Sequence, residues 1–556
     1  MPPATFLRLA CAALATGLLA ACATSTPVPP PPRLVVLLVV DGLPQRQMLD
    51  YRDQLVPDGL NRLLERGAWF SQAHYGHAFT VTAAGHATML TGAYPHRTGI
   101  IGNDWRDATT GAEVYCTSDT AATYIGHATK PLDGTSPKNL RAETVGDVLK
   151  RASPQSKVIG ISGKDRGAIL SAGKTGTAYM YMAQSGQFAS TTHYMPAHPA
   201  WVNAFHAAKP ADRYFRTQWT PLLPEAAYAR SVPDNQAWFA RGGSLPLAMN
   251  SPDDTAPGPV FYGALLRSPF ADALALDFAR AAIAGEQLGQ RDSTDILAIS
   301  LSGHDYVNHA FGAESRLSHD HLLQLDRLFA TFFRDLDARV GKDNYLVVFT
   351  ADHGFMPAPE YSATQGRDSG RIQLGAMLGR INAGLAAQFG EGKWVQFSGS
   401  SLLLNKALVA QKGVDAVALQ QAARQLLLAE PGIAEAYTRA ELESGVAAPG
   451  NGPGLFLAQM RKSWHPQVSG DVQFTIRPWW MVGTGYAATH GSPHPYDTQV
   501  PLALYGPRWV QPGRIDTRAE VVDIAPTLAR LLRIDAPASA EGRLLPIVAP
   551  AGTAGP

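Results

Sequence analysis

The chain has 556 residues, 46% of them apolar and 17% charged, and 47 Lys and Arg against 46 Asp and Glu leave a net charge of +1. So apolar a chain with so little net charge is not disordered, and the missing basic surplus argues against a nucleic-acid-binding domain. Three Cys exclude a disulfide-built scaffold, while the length suits roughly two to four ordinary domains or one elaborated catalytic domain.

The first segment reads as an export signal. Arg8 precedes an apolar run over residues 9–20, too short to span a bilayer. Leu19-Ala20-Ala21-Cys22 resembles a lipobox. Residues 1–22 are therefore expected to act as a signal peptide with a lipid anchor at Cys22, in the periplasm at the outer membrane. Cleavage after Ala21-Cys22-Ala23 would instead release a soluble periplasmic protein. Residues 23–32 read as a Pro-rich, extended tether, and Cys116 as a buried small residue.

Leu34-Val-Val-Leu-Leu-Val-Val40 is apolar throughout, as in a strand buried on both faces, and Asp41-Gly42 ends it. Residues 55–67 read as a helix closed by Gly67. Further buried strands are expected at 157–161, 296–301, 345–349 and 500–505. Residues 318–340 form an amphipathic helix with Leu322, Leu325, Phe329, Phe332 and Leu336 on one face. Strands alternating with helices predict an α/β fold, a parallel sheet with helices on both faces. Two stretches interrupt this pattern within a catalytic domain at 33–546. Residues 180–290 are rich in Trp, Tyr, Pro and His. Residues 385–475 carry a helical period at 416–428 and a Gly/Pro-rich run at 448–454. Both read as insertions forming a cap or subdomain, with Trp201, Tyr214 and Trp219 in the cap core.

The polar residues cluster just after the strands: Asp41, then Lys164 and Arg166, then Asp305, then Asp352 and His353. In open α/β sheets that edge is where sites form. Asp305-Tyr-Val-Asn-His309 puts a carboxylate and an imidazole on one helical face, and His490 lies in a loop before the last strand. Alone, an Asp after a strand is a helix cap and Asp-x-x-x-His a solvated face. Together, three carboxylates and three imidazoles exceed one four-coordinate zinc and suit two ions about 3.5–4 Å apart, as used for in-line displacement at phosphorus. His319 and His321 read as solvated residues at a helix start. Gly173-Lys-Thr175 hints at a phosphate loop, but Gly167 is one residue out of register for it. Thr80 or Thr82 precedes a helical segment whose amides suit a phosphate, and a bound metal would activate either hydroxyl.

With these motifs the chain resembles the alkaline phosphatase superfamily over residues 33–546. Within it, the chain is most similar to the phosphate-irrepressible, threonine-nucleophile alkaline phosphatases of Gram-negative bacteria. The resemblance implies an alkaline-phosphatase-like, mostly parallel central sheet with an inserted cap. Thr82-Ala-Ala-Gly-His86 matches the family's nucleophile motif and makes Thr82 the nucleophile. Ile100-Ile-Gly-Asn103 puts Asn103 on a phosphoryl oxygen, and Lys164-Asp-Arg166 is a phosphate clamp. One zinc takes Asp305, His309 and His490; the other takes Asp41, Asp352, His353 and the Thr82 oxygen. Ca or Mn are alternatives to zinc at a site. Asn308 stands where the family pattern has Gly, with a tighter turn as the expected effect.

The implied activity is a two-zinc phosphomonoesterase acting on small phosphate monoesters through a phosphothreonine and releasing inorganic phosphate. The alternative is a phosphodiesterase or nucleotide pyrophosphatase, which shares the metals and the Thr. Two zinc ions would offset three carboxylates and a Thr82 alkoxide, so Lys164 and Arg166 leave about +2 for a dianionic monoester. A binding protein with a decayed site is a third reading, and the complete ligand set speaks against it.

Overall fold

The computed structural model describes residues 29–447 and 454–547. The export signal with its lipobox (1–22), residues 23–28 of the tether and residues 448–453 of the Gly/Pro-rich run lie outside the described residues. The described end of the tether is pinned at one edge of the main sheet: Thr294 Oγ1 donates to Pro32 O at 2.7 Å, and Arg33 N donates to Asn344 O at 2.8 Å.

The main sheet has nine strands: β1 (Leu34–Val40), β2 (Ala68–Phe70), β3 (Val158–Ser162), β4 (Thr177–Met182), β5 (Gln187–Ala189), β6 (Asp295–Leu301), β7 (Tyr345–Thr350), β8 (Leu502–Tyr505) and β9 (Gly513–Ile515). Their spatial order is β9-β2-β8-β7-β1-β6-β3-β4-β5. The run β7-β1-β6-β3-β4 is parallel throughout. β1 is the central strand of the nine and is paired on both sides, which explains seven consecutive apolar residues, all buried.

The sheet is mostly parallel, as expected, and β8 runs antiparallel to β7. The cause is the short link before it. His490 is held at the carboxyl edge of the sheet, and the connection to Leu502 is too short for a crossover back to the other edge.

Five helices matter for the site: α1 (Thr82–Thr91), α2 (Asp165–Ala172), α3 (Pro269–Glu286), α4 (Gly303–Phe311) and α5 (Arg316–Arg339). α2 packs on β3 and β4, and α3 packs on β6 and α5. The helix expected over 55–67 is shorter, Leu60–Arg66. Pro57 disfavours helix at the residue before it. Asp326 on α5 instead accepts from Val56 N and Leu60 N, each at 2.7 Å.

Residues 180–290 build an aromatic cluster on α3. Phe188 stacks on Phe278 at 4.5 Å, Trp201 lies 5.1 Å from Phe278, and Tyr214 stacks on Phe270 at 4.4 Å. A second, antiparallel sheet orders its strands Val395–Ser398, Ser401–Leu404, Val472–Ile476 and Ile433–Thr438. With the helices Leu374–Phe389 and Ala416–Leu428 it closes a separate apolar core around Trp394, Leu402 and Leu419. Among the described residues no helix is long and apolar enough to cross a membrane.

Candidate active site

The registers Val39–Thr350, Val40–Leu301 and Ser300–Ser162 bring the carboxyl ends of β7, β1, β6 and β3 level. The residues that follow these strands therefore meet at one edge. After β1, Gly42 takes φ +71°, a left-handed turn that favours glycine. Its N–H donates to Asp352 Oδ1 at 3.0 Å, tying the turn after β1 to the loop after β7. After β6, the first turns of α4 put Asp305 and His309 on one face, His309 Nε2 3.4 Å from Asp305 Oδ1.

Six side chains form two sets. In one, His490 Nε2 joins the Asp305–His309 pair, 3.6 Å from Asp305 Oδ1. In the other, His353 Nε2 lies 3.4 Å from Asp41 Oδ1 and 3.5 Å from Asp352 Oδ2. Within each set the donor atoms are all within 4.8 Å of one another. His353 and His490 stack at 3.4 Å between ring centres and join the two sets.

Each imidazole is aimed by its other nitrogen. Nδ1 of His309 donates to Ala488 O, that of His490 to Thr80 O and that of His353 to Gly354 O, at 3.1, 2.9 and 2.9 Å. This turns each Nε2 to the carboxylates, the usual preparation of a metal-binding His. Burial pushes His353 down to about 4 and His490 well below the ordinary range, so both are neutral, the form that binds a metal. Burial and the neighbouring Asp41 hold the Asp352 carboxyl well above its usual range. Burial alone would raise Asp305 too, but the positive charge beside it, carried by the Lys164 ammonium, outweighs burial and holds it low.

Asp41 Oδ1, Asp305 Oδ1, Asp352 Oδ2 and His353 Nε2 are buried without a hydrogen-bond partner. Buried polar atoms are rarely left so. Two cations, one in each set, would satisfy all four, and mixed carboxylate and imidazole donors fit zinc.

Thr82 opens α1 and is buried, with Val81 at the cap position. The helix reaches this close because of Gly85: a Cβ there would stand 2.1 Å from Asp352 O. His86 joins neither set. Its Nδ1 donates to Thr82 O and its Nε2 accepts from Ser300 Oγ, both at 2.8 Å, which ties α1 to β6. Asn103 Oδ1 accepts from Ala83 N at 2.9 Å, so its amide stands at the amino end of α1.

The buried Lys164 ammonium lies 2.8 Å from Asp41 Oδ2, 2.5 Å from Asp305 Oδ2 and 3.5 Å from Thr82 Oγ1. Burial would lower its pKa, but Asp305 and Asp41 outweigh that and raise it, so it stays charged. Arg166 is held by Tyr115, its Nη1 donating to the hydroxyl at 3.2 Å.

A family profile described as type I phosphodiesterase / nucleotide pyrophosphatase matches residues 35–497. Alkaline phosphatase PhoV of Synechococcus elongatus is 32% identical over 526 residues, covering 92% of each chain. The chain belongs to the alkaline phosphatase superfamily.

Other relatives of this superfamily member are as similar. Alkaline phosphatase PafA of Elizabethkingia meningoseptica is 32% identical over 518 residues, covering 92% of this chain and 93% of that one. A protein named calcium-transporting ATPase from Myroides odoratus is 35% identical over 522 residues, with 91% and 92% covered. The crystal structure of wild-type PafA superimposes with a TM-score of 0.86 at 31% identity, covering 94% of this chain and 99% of that one. A PafA variant changed at one Thr, one Asn, one Lys and one Arg matches equally well.

Two expectations fail within this superfamily fold. His319 and His321 are buried, not solvated. His319 stacks on Tyr51 at 3.4 Å and bonds Ser231 Oγ and Gln54 Oε1, each at 2.7 Å. His321 Nε2 lies 3.2 Å from Asp272. The aromatic stretch covers this polar face of α5: Trp219 Nε1 donates to Asp320 at 2.6 Å, and Tyr228 bonds the same carboxylate. Asn308 does not tighten a turn. It lies within α4, where its Nδ2 donates to Gly42 O at 3.0 Å and its Oδ1 accepts from Ser318 Oγ at 2.5 Å. The sequence marked Asn308 as a departure, but only the fold reveals its partners. Tyr306, whose ring lies 5.1 Å from Lys164 Nζ, was hidden inside the Asp305–His309 motif.

Proposed function

We propose that the protein is a two-zinc phosphomonoesterase that hydrolyses small phosphate esters through a phosphothreonine at Thr82 and releases inorganic phosphate. The observation that carries this reading is the buried Lys164 ammonium beside Thr82 Oγ1, between carboxylates of both sets. A full positive charge there matches the extra negative charge of a monoester over a diester. The alkaline phosphatases among the relatives support the same class. In PafA, one variant is changed together at a Thr, an Asn, a Lys and an Arg, the residue types of Thr82, Asn103, Lys164 and Arg166.

Asp305, His309 and His490 would hold one ion, and Asp41, Asp352, His353 and Thr82 Oγ1 the other. Bound there, zinc supplies Lewis acidity that lowers the pKa of a hydroxyl or water and takes up charge on the leaving oxygen. Thr82 Oγ1 gives up its proton to solvent and forms a bond to phosphorus as the ester oxygen departs on the opposite side and takes up a proton as the free alcohol. Asn103, at the amino end of α1, and Arg166 bind the non-bridging oxygens, and Lys164 balances their charge. Water then adds to phosphorus as the bond to Thr82 Oγ1 breaks, and a proton of that water restores the Thr82 hydroxyl. Positioning and charge stabilisation account for most of the acceleration.

The phosphodiesterase description of the matching family favours a second reading, hydrolysis of diesters at the same residues. The two are separated by kcat/KM for an aryl phosphomonoester and its matching diester on zinc-loaded protein, with a chelated control and the bound metal measured. A strong monoester preference, lost on chelation, is expected. A diester preference would move the assignment to phosphodiesterase, and protein that binds no zinc would return it to a decayed site.

A further inference from the structure

The two metal sets are not equally enclosed. The side chains of Asp41, Asp352 and His353 are 0% exposed, whereas His309 is 18% exposed and His490 7%. The site therefore opens to solvent beside His309 and His490. On the phosphatase reading, those residues serve the departing oxygen, opposite Thr82.

Two aromatic rings stand at this opening. Tyr486 lies 4.8 Å from the His309 ring and is 53% exposed. Its loop is fixed rather than loose. Arg371 donates to Tyr486 O at 2.8 Å and Ala487 O at 3.0 Å, while a two-point pair with Glu360 at 2.7 and 2.8 Å holds Arg371 itself. Ala487 N donates to His309 O at 2.8 Å. The second ring, the half-buried Phe79, lies between two glycines. Its edges come within 3.4 Å of a Cβ placed on Gly491, next to His490, and 3.2 Å of one placed on Gly102, next to Asn103. Phe355, fully buried, backs His309 and His490 from inside at 5.0 and 5.3 Å and is closed to a ligand.

We propose that Tyr486 and Phe79 form a leaving-group subsite for an aryl phosphate, one whose aromatic ring is bonded directly to the ester oxygen. The inference rests on the phosphatase reading. An exposed aromatic held rigidly beside a reaction centre offers a flat apolar face at little ordering cost, and a second ring stacks on it in offset or edge geometry. Because Tyr486 packs on His309 itself, the favoured ring is the one attached to the departing oxygen. In a nucleoside monophosphate a ribose stands between the two, so its base falls beyond Tyr486.

The test compares Tyr486→Ala and Phe79→Leu with the unaltered, zinc-loaded enzyme on phenyl phosphate, glycerol phosphate and a nucleoside 5′-monophosphate. Titration calorimetry adds binding of benzylphosphonate, in which CH2 replaces the ester oxygen, against ethylphosphonate. Tyr486→Ala is expected to lower kcat/KM for phenyl phosphate and to weaken benzylphosphonate binding by about tenfold, a typical yield of one aromatic contact. The other two esters and ethylphosphonate should be unchanged. Phe79→Leu should act in the same direction. An equal loss on all substrates, or none on the aryl compounds, would overturn the subsite alone. An unaltered enzyme that cleaves none of the three monoesters would overturn the phosphatase reading instead.

Discussion

His77 is fully buried, and neither of its ring nitrogens has a hydrogen-bond partner among the described residues. Tyr75 meets it edge-on at 5.1 Å. Burial, with a smaller effect from Lys462, pushes its pKa down to about 3. In the unfolded chain the imidazole takes a proton near pH 6.5, whereas the folded one stays neutral until about pH 3. Its contribution to stability is therefore intact above about pH 6.5 and is lost as pH falls toward 3, at up to about 1.4 kcal/mol per pH unit. His77→Phe, which keeps a ring against Tyr75, should remove that slope. Urea unfolding of both proteins at several pH values between 4 and 7 would show the unaltered protein losing stability relative to His77→Phe as pH falls. Parallel curves would mean that His77 is protonated in the fold.

At the level of elements, the most consequential link joins α4 to the turn after β1. Asn308 bridges Gly42 O and Ser318 Oγ, and Gly42 N in turn holds Asp352. One side chain thus sets the spacing between the metal set on α4 and the set after β1 and β7. Asn308→Gly would take the donor from the Gly42 carbonyl and the acceptor from the Ser318 O–H, leaving Ser318 Oγ only the bond it accepts from Gln47 Nε2, and would put a glycine inside a helix. The expected cost is about 2–4 kcal/mol of stability, with weaker zinc retention on dialysis, read by metal analysis. Asn308→Ala separates the two effects, since it breaks the bridge without the helix penalty.

What could be read in advance follows the range of the interactions. β1 and α5 were legible because period and burial are local properties of their residues. The convergence of Asp41, Asp305 and Asp352 was legible because each follows a strand end. The reversal of β8, the capping of Leu60–Arg66 by Asp326 and the covering of His319 and His321 were not. Each depends on a partner far along the chain. The same is true of Gly85, whose need is visible only where Asp352 O comes close.

For the whole molecule, the residue that bears on location is Cys22. We propose export and lipid anchoring there, on the Leu19-Ala20-Ala21-Cys22 motif and the Pro-rich run that follows it. Cys22→Ser should move the protein from the membrane fraction to the uncleaved or soluble fraction, as judged by fractionation and by loss of labelled lipid. An unchanged, soluble distribution of the unaltered protein would favour ordinary cleavage. The pinned start of the main sheet then has a geometric effect. Pro32 is fastened at one end of β1 and Asp41 stands at the other, and seven residues of extended chain hold those ends about 20 Å apart. An anchored enzyme would therefore hang by its back. Its mouth would look outward, toward whatever diffuses through the surrounding space, and away from the lipid headgroups behind it.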